Sequence, residues 1–262
     1  MIKYLIILIV LSIPIQGYAL SPQEIIKKSQ EVFLYQGRDF KVRVMMKLIN
    51  KNNKERIREM TMLRKNYGPS GGEQKYFIYF FKPADVRDMT FMVYKYPQRD
   101  DDRWLFIPAI NMTKRIAARD KTSSFVGSDF TYEDVSGGDI EDDTHEIIKE
   151  EKLKEQDCFV IKSRPKAGDM EYSYKLSWIS KDSFLPLKEE YYDRNGGLYR
   201  VFTADEIKDI KGFPTVTKRT MKNIQNGHRT ETAFIKVDYN IGVEDKLFSE
   251  RFLKRPPKKW IE

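Results

Sequence analysis

Carboxylates are the residues best placed to do chemistry in this chain, and they gather between positions 129 and 143. Asp129, Glu133 and Asp134 surround Phe130 and Tyr132, and Asp139, Glu141, Asp142 and Asp143 follow closely. Two carboxylates in unlike environments can divide acid and base work between them. The first group reads more simply as the cap of a short helix that pairs with Arg115 or Arg119. The second reads as a solvated acidic loop, because its spacing does not fit an EF-hand. His145 and His228 are the two histidines, and neither has a cysteine or second histidine nearby, which argues against a metal centre. Ser123, Ser124 and Ser128 lack the glycine pattern of a nucleophile elbow. Cys158, the one cysteine, sits in Cys-Phe-Val-Ile and reads as a buried strand thiol, so no intrachain disulfide is possible. The expectation is a protein that is not an enzyme and carries no metal or cofactor.

Residues 1–19, MIKYLIILIVLSIPIQGYA, set the compartment. Lys3 supplies a basic start, Tyr4 to Ile13 an apolar core, and Gly17-Tyr18-Ala19 a small-x-small cleavage site. The apolar run is about half of the roughly 20 residues that cross a bilayer, and Pro14 interrupts it. A signal peptide cleaved near Ala19 is expected, leaving 20–262 as a single exported domain in the periplasm, with association at the outer membrane left open. The net charge of +8 then suits solubility and weak attraction to anionic head groups, and nucleic acid is not an expected partner.

Ser21-Pro22-Gln23-Glu24 carries a serine cap, a proline at the first helical position and a capping-box glutamate. Ile25, Ile26, Ser29, Val32 and Phe33 then share one face of a helix that ends near Gly37. From Phe40 the period becomes two, with apolar even positions to Leu48 and Lys41, Arg43 and Lys47 opposite. A return strand follows near 56–65, and 67–72 reads as a mobile loop. Lys75 to Phe81 is apolar on both sides, so this strand is buried on two faces. Further strands are predicted at 90–95, 103–107, 112–118, 145–153, 157–163, 171–180, 186–193, 197–205, 214–222 and 229–239. There is no long second helix and no βαβ alternation, so the sheet should be antiparallel. Residues 120–143 read as a docked, partly helical insert. Methionines 45, 46, 60, 62, 89, 92 and 112 cluster in or beside these strands, which fits an ordinary core first and an adaptable apolar surface second.

Several stretches carry a resemblance. Lys82-Pro-Ala-Asp-Val86, Asp102-Arg-Trp-Leu-Phe-Ile-Pro-Ala109, Lys114-Arg-Ile116, Phe125-Val-Gly-Ser-Asp-Phe-Thr-Tyr-Glu-Asp134 and Trp178 to Lys188 resemble the LolA-like outer-membrane lipoprotein-sorting proteins of the LolA/LolB superfamily. Asp88 departs from the pattern, which has glycine there. The resemblance implies a mainly β (α+β) fold: a strongly curved antiparallel sheet forming an unclosed barrel, with helices over an apolar cavity that accepts acyl chains. It implies a carrier of a lipid or lipoprotein acyl chain, with an inner-membrane transporter and an outer-membrane acceptor as partners. The alternative is a non-catalytic accessory protein that docks on an envelope transporter or assembly. On the carrier reading the cavity should be lined by Val42, Val44, Met46, Phe77, Tyr79, Phe81, Phe91, Val93, Trp104 and Phe106. Phe125, Phe130 and Tyr132 should form its cover, with Arg115 or Arg119 latched to Asp129 or Asp134.

Overall fold

The computed structural model describes residues 20–68, 72–167 and 172–262; the expected signal peptide and part of the 67–72 loop lie outside the described residues. Helix α1, Pro22–Leu34, opens the described chain. Its capping box forms, with the Glu24 amide donating to Ser21 Oγ at 3.2 Å and the Ser21 amide to Glu24 Oε2 at 2.8 Å. The strands follow as β1 Asp39–Ile49, β2 Glu55–Tyr67, β3 Glu73–Lys82, β4 Thr90–Lys95, β5 Asp102–Ile107 and β6 Met112–Ile116. After an insert come β7 Asp143–Leu153, β8 Gln156–Pro165, β9 Tyr174–Ser180, β10 Pro186–Tyr192, β11 Leu198–Ile210, β12 Phe213–Asn223 and β13 Arg229–Tyr239. The described strands join in one antiparallel sheet ordered β6-β5-β4-β3-β2-β1-β13-β12-β11-β10-β9-β8-β7. β6 and β7 are its two free edges, so the barrel is unclosed, as the resemblance implied, and the sheet is antiparallel, as the strand pattern predicted.

The sheet has to be covered on both faces. On β3, Tyr76, Ile78 and Phe80 join a cluster with Val42, Val44, Met46, Phe91 and Val93. Phe77 with Tyr79, Phe81, Trp104 and Phe106 joins a separate cluster on the opposite face. We call the first face inner and the second outer. α1 and the insert cover the inner face. A C-terminal strap ending in the short helices α3 (Glu250–Lys254) and α4 (Lys258–Ile261) covers the outer one with Val243, Leu247, Phe248, Leu253, Trp260 and Ile261.

Polar contacts fix both covers. The last carbonyls of α1 have no helical partner, and side chains of β2 supply one: Arg64 donates to the carbonyls of Leu34 and Gln36, and Asn66 Nδ2 to that of Tyr35 at 2.7 Å. On the outer face the buried hydroxyls of Thr61 and Thr90 donate to the carbonyls of Ile261 and Leu253 at 2.7 and 2.6 Å. The strap starts on Asp39, whose buried carboxylate accepts the amides of Ile241, Gly242 and Val243 at 2.7, 3.1 and 3.3 Å. Asp88 occupies a left-handed turn, φ 64°, which explains why glycine suits that position; aspartate tolerates it, and the Tyr79 hydroxyl donates to its carboxylate.

The Asp39 triad makes the strap testable. Asp39→Ala leaves three amides without their acceptor and should lower stability by about 2–3 kcal/mol in urea unfolding. Limited proteolysis should then cut first within 243–262.

Candidate functional site

The insert, 117–142, links the two edge strands and crosses the inner face. Phe125 packs on Phe80 and Phe91 with centroids at 6.0 and 5.5 Å, and Tyr132 lies 5.2 Å from Phe91. Phe125, Phe130 and Tyr132 are all buried. The hollow expected over β1–β5 is therefore filled by the protein's own aromatic rings. Val42, Val44, Met46, Phe91 and Val93 lie beneath this plug. Phe77, Tyr79, Phe81, Trp104 and Phe106 do not share their face at all. The error has a physical source: a strand apolar on both sides cannot declare which side is inner, and the strap that hides its outer side, from Val243, lies far beyond the end of β3 at Lys82 in sequence.

A turn of helix, α2 (Tyr132–Ser136), ends the plug. Thr131 caps it, with the Asp134 amide on Thr131 Oγ1 at 3.0 Å and the Thr131 amide on Asp134 Oδ2 at 2.8 Å. The expected helix cap is present. The expected latch is not: Arg115 pairs with Asp102, and Arg119 stands 86% exposed beside Asp120. Asp134 instead receives Arg200 Nη1 at 2.8 Å, and Asp129 receives His228 Nδ1 at 2.6 Å and Thr230 Oγ1 at 2.7 Å. Arg200 and Thr230 project from strands directly under the insert, whereas Arg115 and Arg119 lie on its approach at the edge of the sheet. Arg200 was nevertheless detectable, since it alternates with Phe202 and Ala204 on the buried side of β11. Glu133 is held by Lys121 at 3.2 Å, so each carboxylate of the group already has a partner.

Gly137 closes the plug against α1. Its φ is 87°, and a Cβ there would meet the Tyr35 hydroxyl at 2.2 Å, so only glycine fits. Tyr35 in turn donates to the Ser136 carbonyl at 3.1 Å, and Gln30 to that of Gly138 at 2.7 Å.

Behind the plug, between α1, the rear of the insert and β7–β11, lies a cavity of about 560 Å³. Ile26, Phe33, Leu34 and Ile179 supply apolar wall, and none of the ten expected lining residues reaches it. Its other wall is ionic. Glu189 accepts from Ser177 Oγ at 3.0 Å and from the Tyr191 hydroxyl at 2.7 Å, with Lys175 Nζ 3.5 Å away. His145 Nε2 faces the Ile140 carbonyl at 3.0 Å, which can only accept, so Nδ1 accepts from Ser163 at 2.8 Å. Burial pushes the His145 imidazole below its usual value and the Asp143 carboxyl above its own, despite Lys175 and His145 beside it. The space is amphiphilic. It is not the uniformly greasy hollow that the resemblance implied. Among the described residues no group of three or more His, Cys, Asp or Glu could hold a metal ion.

A curved antiparallel sheet with an inward helix and a covering insert defines a LolA-like fold, and the comparisons agree. A family model described as an uncharacterized protein matches residues 72–255. A solved domain from Vibrio parahaemolyticus, described as an outer membrane lipoprotein-sorting protein, is 30% identical, with a TM-score of 0.81 over 89% of this chain and 98% of its own. A DUF1329 family protein from Desulfovibrio piger is 26% identical, with a TM-score of 0.81 over 88% of this chain and 97% of its own. A LolA superfamily protein from Nitrosomonas europaea shares the fold at 19% identity and a TM-score of 0.68, over 89% of this chain and 100% of its own. No curated protein matches. The chain belongs to the LolA-like family of outer-membrane lipoprotein-sorting proteins.

Two outcomes check this geometry. Phe125→Ala should cost about 3–5 kcal/mol if the plug is packed as core, read by urea unfolding. A raised carboxyl pKa means that the folded state holds the proton more tightly, so stability falls as pH rises through the window above 3.8. Asp143→Asn should therefore raise the melting temperature at neutral pH, with the gain vanishing below the ordinary carboxylate range.

Proposed function

We propose that this chain is an exported carrier that encloses the acyl chain of a lipid or lipoprotein and moves it toward the outer membrane. The observation that carries the reading is the cavity of about 560 Å³ between α1 and β7–β11, with an aromatic plug beside it. That volume is within the roughly 300–1,000 Å³ of small-molecule sites. Each buried methylene contributes about 0.8 kcal/mol, so one long chain gains on the order of 10 kcal/mol before ordering costs. With the plug down, the ionic wall would face the guest's polar end, and Ile26, Phe33, Leu34 and Ile179 its hydrocarbon.

The plug is the gate. Its one β-bridge, Ser124 to Thr131, lies within the insert itself, and the plug meets the sheet through side-chain tethers at Asp129 and Asp134, with no ladder onto a strand. Lifting it breaks few backbone bonds and uncovers β1–β5, where a longer chain could replace Phe125, Phe130 and Tyr132. Such a cycle needs no catalysis. It needs a donor that loads the guest and an acceptor that takes it, since unaided release of so much apolar surface is slow. Residues 1–19 act as the export signal, and 20–262 act as one lipid-binding unit.

The accessory-protein reading draws on the filled hollow under the insert, and the cavity behind it favours the carrier. Protein purified without detergent should retain an amphiphile under native ionisation and should bind an apolar dye after delipidation. Ile26→Trp should weaken dye binding about tenfold by narrowing the cavity, with the fold unchanged by circular dichroism. A clean apo mass together with no dye binding would overturn the proposal.

A further inference from the structure

One row of residues crosses the inner face beneath the plug. Arg58 on β2 pairs with Met46 on β1, Met46 with Thr232 on β13, and Thr232 with Arg219 on β12. All four project to the inner face, and the two arginines stand three strand spacings apart, roughly 14 Å. Three of the four carry a buried polar atom with no hydrogen-bond partner: Arg58 Nη1, Thr232 Oγ1 and Arg219 Nε.

Neither arginine of the row has a carboxylate within 4 Å among the described residues, unlike Arg43, Arg103 and Arg200. Arg219 is held among rings, with its guanidinium 5.4 Å from Phe33, 5.6 Å from Phe130 and 5.1 Å from Phe234. Those rings belong to α1, the plug and β13 in turn. Rings offset part of the cost of burying a cation, and a hydrogen-bonding anion would offset much more. Burial lowers the Arg219 pKa to about 10, with Asp134 pulling the other way. Arg58 lies near the plug's Gly127, with only the more distant Asp85 favouring its charge. Two cations without a carboxylate partner, each with one unpaired buried nitrogen, and an unpaired hydroxyl, in line on this floor, form a poor core and a good anion receptor.

We propose that Arg58, Thr232 and Arg219 receive the anionic head group of the carried amphiphile when the plug lifts. The inference rests on the carrier reading and deepens it. The long arginine side chains converge from the two ends of the row on a group seated over Thr232, and the guest's chain then runs along the apolar floor of β1–β5. With the plug down, Gly127 lies beside Arg58 and the Phe130 ring beside Arg219.

The test compares cis-parinaric acid with its methyl ester, which share a chain and differ in charge. The delipidated protein should bind the acid about tenfold or more tighter than the ester, the margin of a charged hydrogen bond. In Arg58→Met/Arg219→Met that ratio should fall toward one. Its melting temperature should hold or rise, because a buried cation lacking a partner gives way to an apolar chain of similar size. Arg219→Met alone is read in the same way should the double variant fold poorly. A ratio near one in the wild type, or a ratio kept by the variants, would overturn the receptor while leaving the carrier intact. A drop in melting temperature with the ratio kept would make the row structural only. Failure of the wild type to bind either probe would overturn the carrier reading with it.

Discussion

A single-layer sheet that is apolar on both faces cannot face water on either side, and the rest of this structure answers to that constraint. β3 imposes it most strongly, with Tyr76, Ile78 and Phe80 on one side and Phe77, Tyr79 and Phe81 on the other. The outer face is closed by a strap whose carbonyls meet buried threonine hydroxyls, and whose first amides are gathered by Asp39. The inner face is closed twice, by α1 over one half and by the insert over the other. Where the two inner covers meet, at Tyr35, Gly137 and Gln30, they are joined by polar contacts and one close glycine approach.

The two kinds of cover differ in how they are held. The strap presents large apolar residues and is hydrogen-bonded along its length. The insert buries three aromatic rings, yet its polar tethers to the strands are few and rely on charged groups: Asp129 to His228, Asp134 to Arg200, and the Gly137 carbonyl to Lys95. Charged tethers in a partly buried setting hold geometry well and lose most of their value once water enters. That asymmetry makes the inner cover the one suited to opening.

Much of the architecture was legible in the sequence because strand alternation and capping are local. Ser21 to Glu24 named the first helix, the Thr131 to Asp134 cap appears where a capped short helix was expected, and the strand spans agree closely with those observed. What escaped was long-range. Period two separates the faces of a strand without saying which is inner, so the pattern alone puts Phe77 and Phe106 on the wrong side. The tethers come from Arg200 and His228, dozens of residues downstream, and nothing local ties them to Asp134 and Asp129. The cavity wall uses Lys175, Glu189 and His145, whose polar character argues against a greasy hollow until the fold brings them opposite Ile26 and Phe33. The row Arg58–Met46–Thr232–Arg219 needs the registers of four strands at once.

The free edges of the sheet bear on how such a molecule keeps to itself. An unclosed barrel exposes two rows of unpaired backbone groups, an invitation for another chain to add a strand. β6 is five residues long and carries Lys114 and Arg115, while β7 carries Glu146, Lys149, Glu150, Glu151 and Lys152 along its length. Charge on both borders discourages stacking of one copy on the next. The gap that could admit a guest can thus stay open without seeding a fibre.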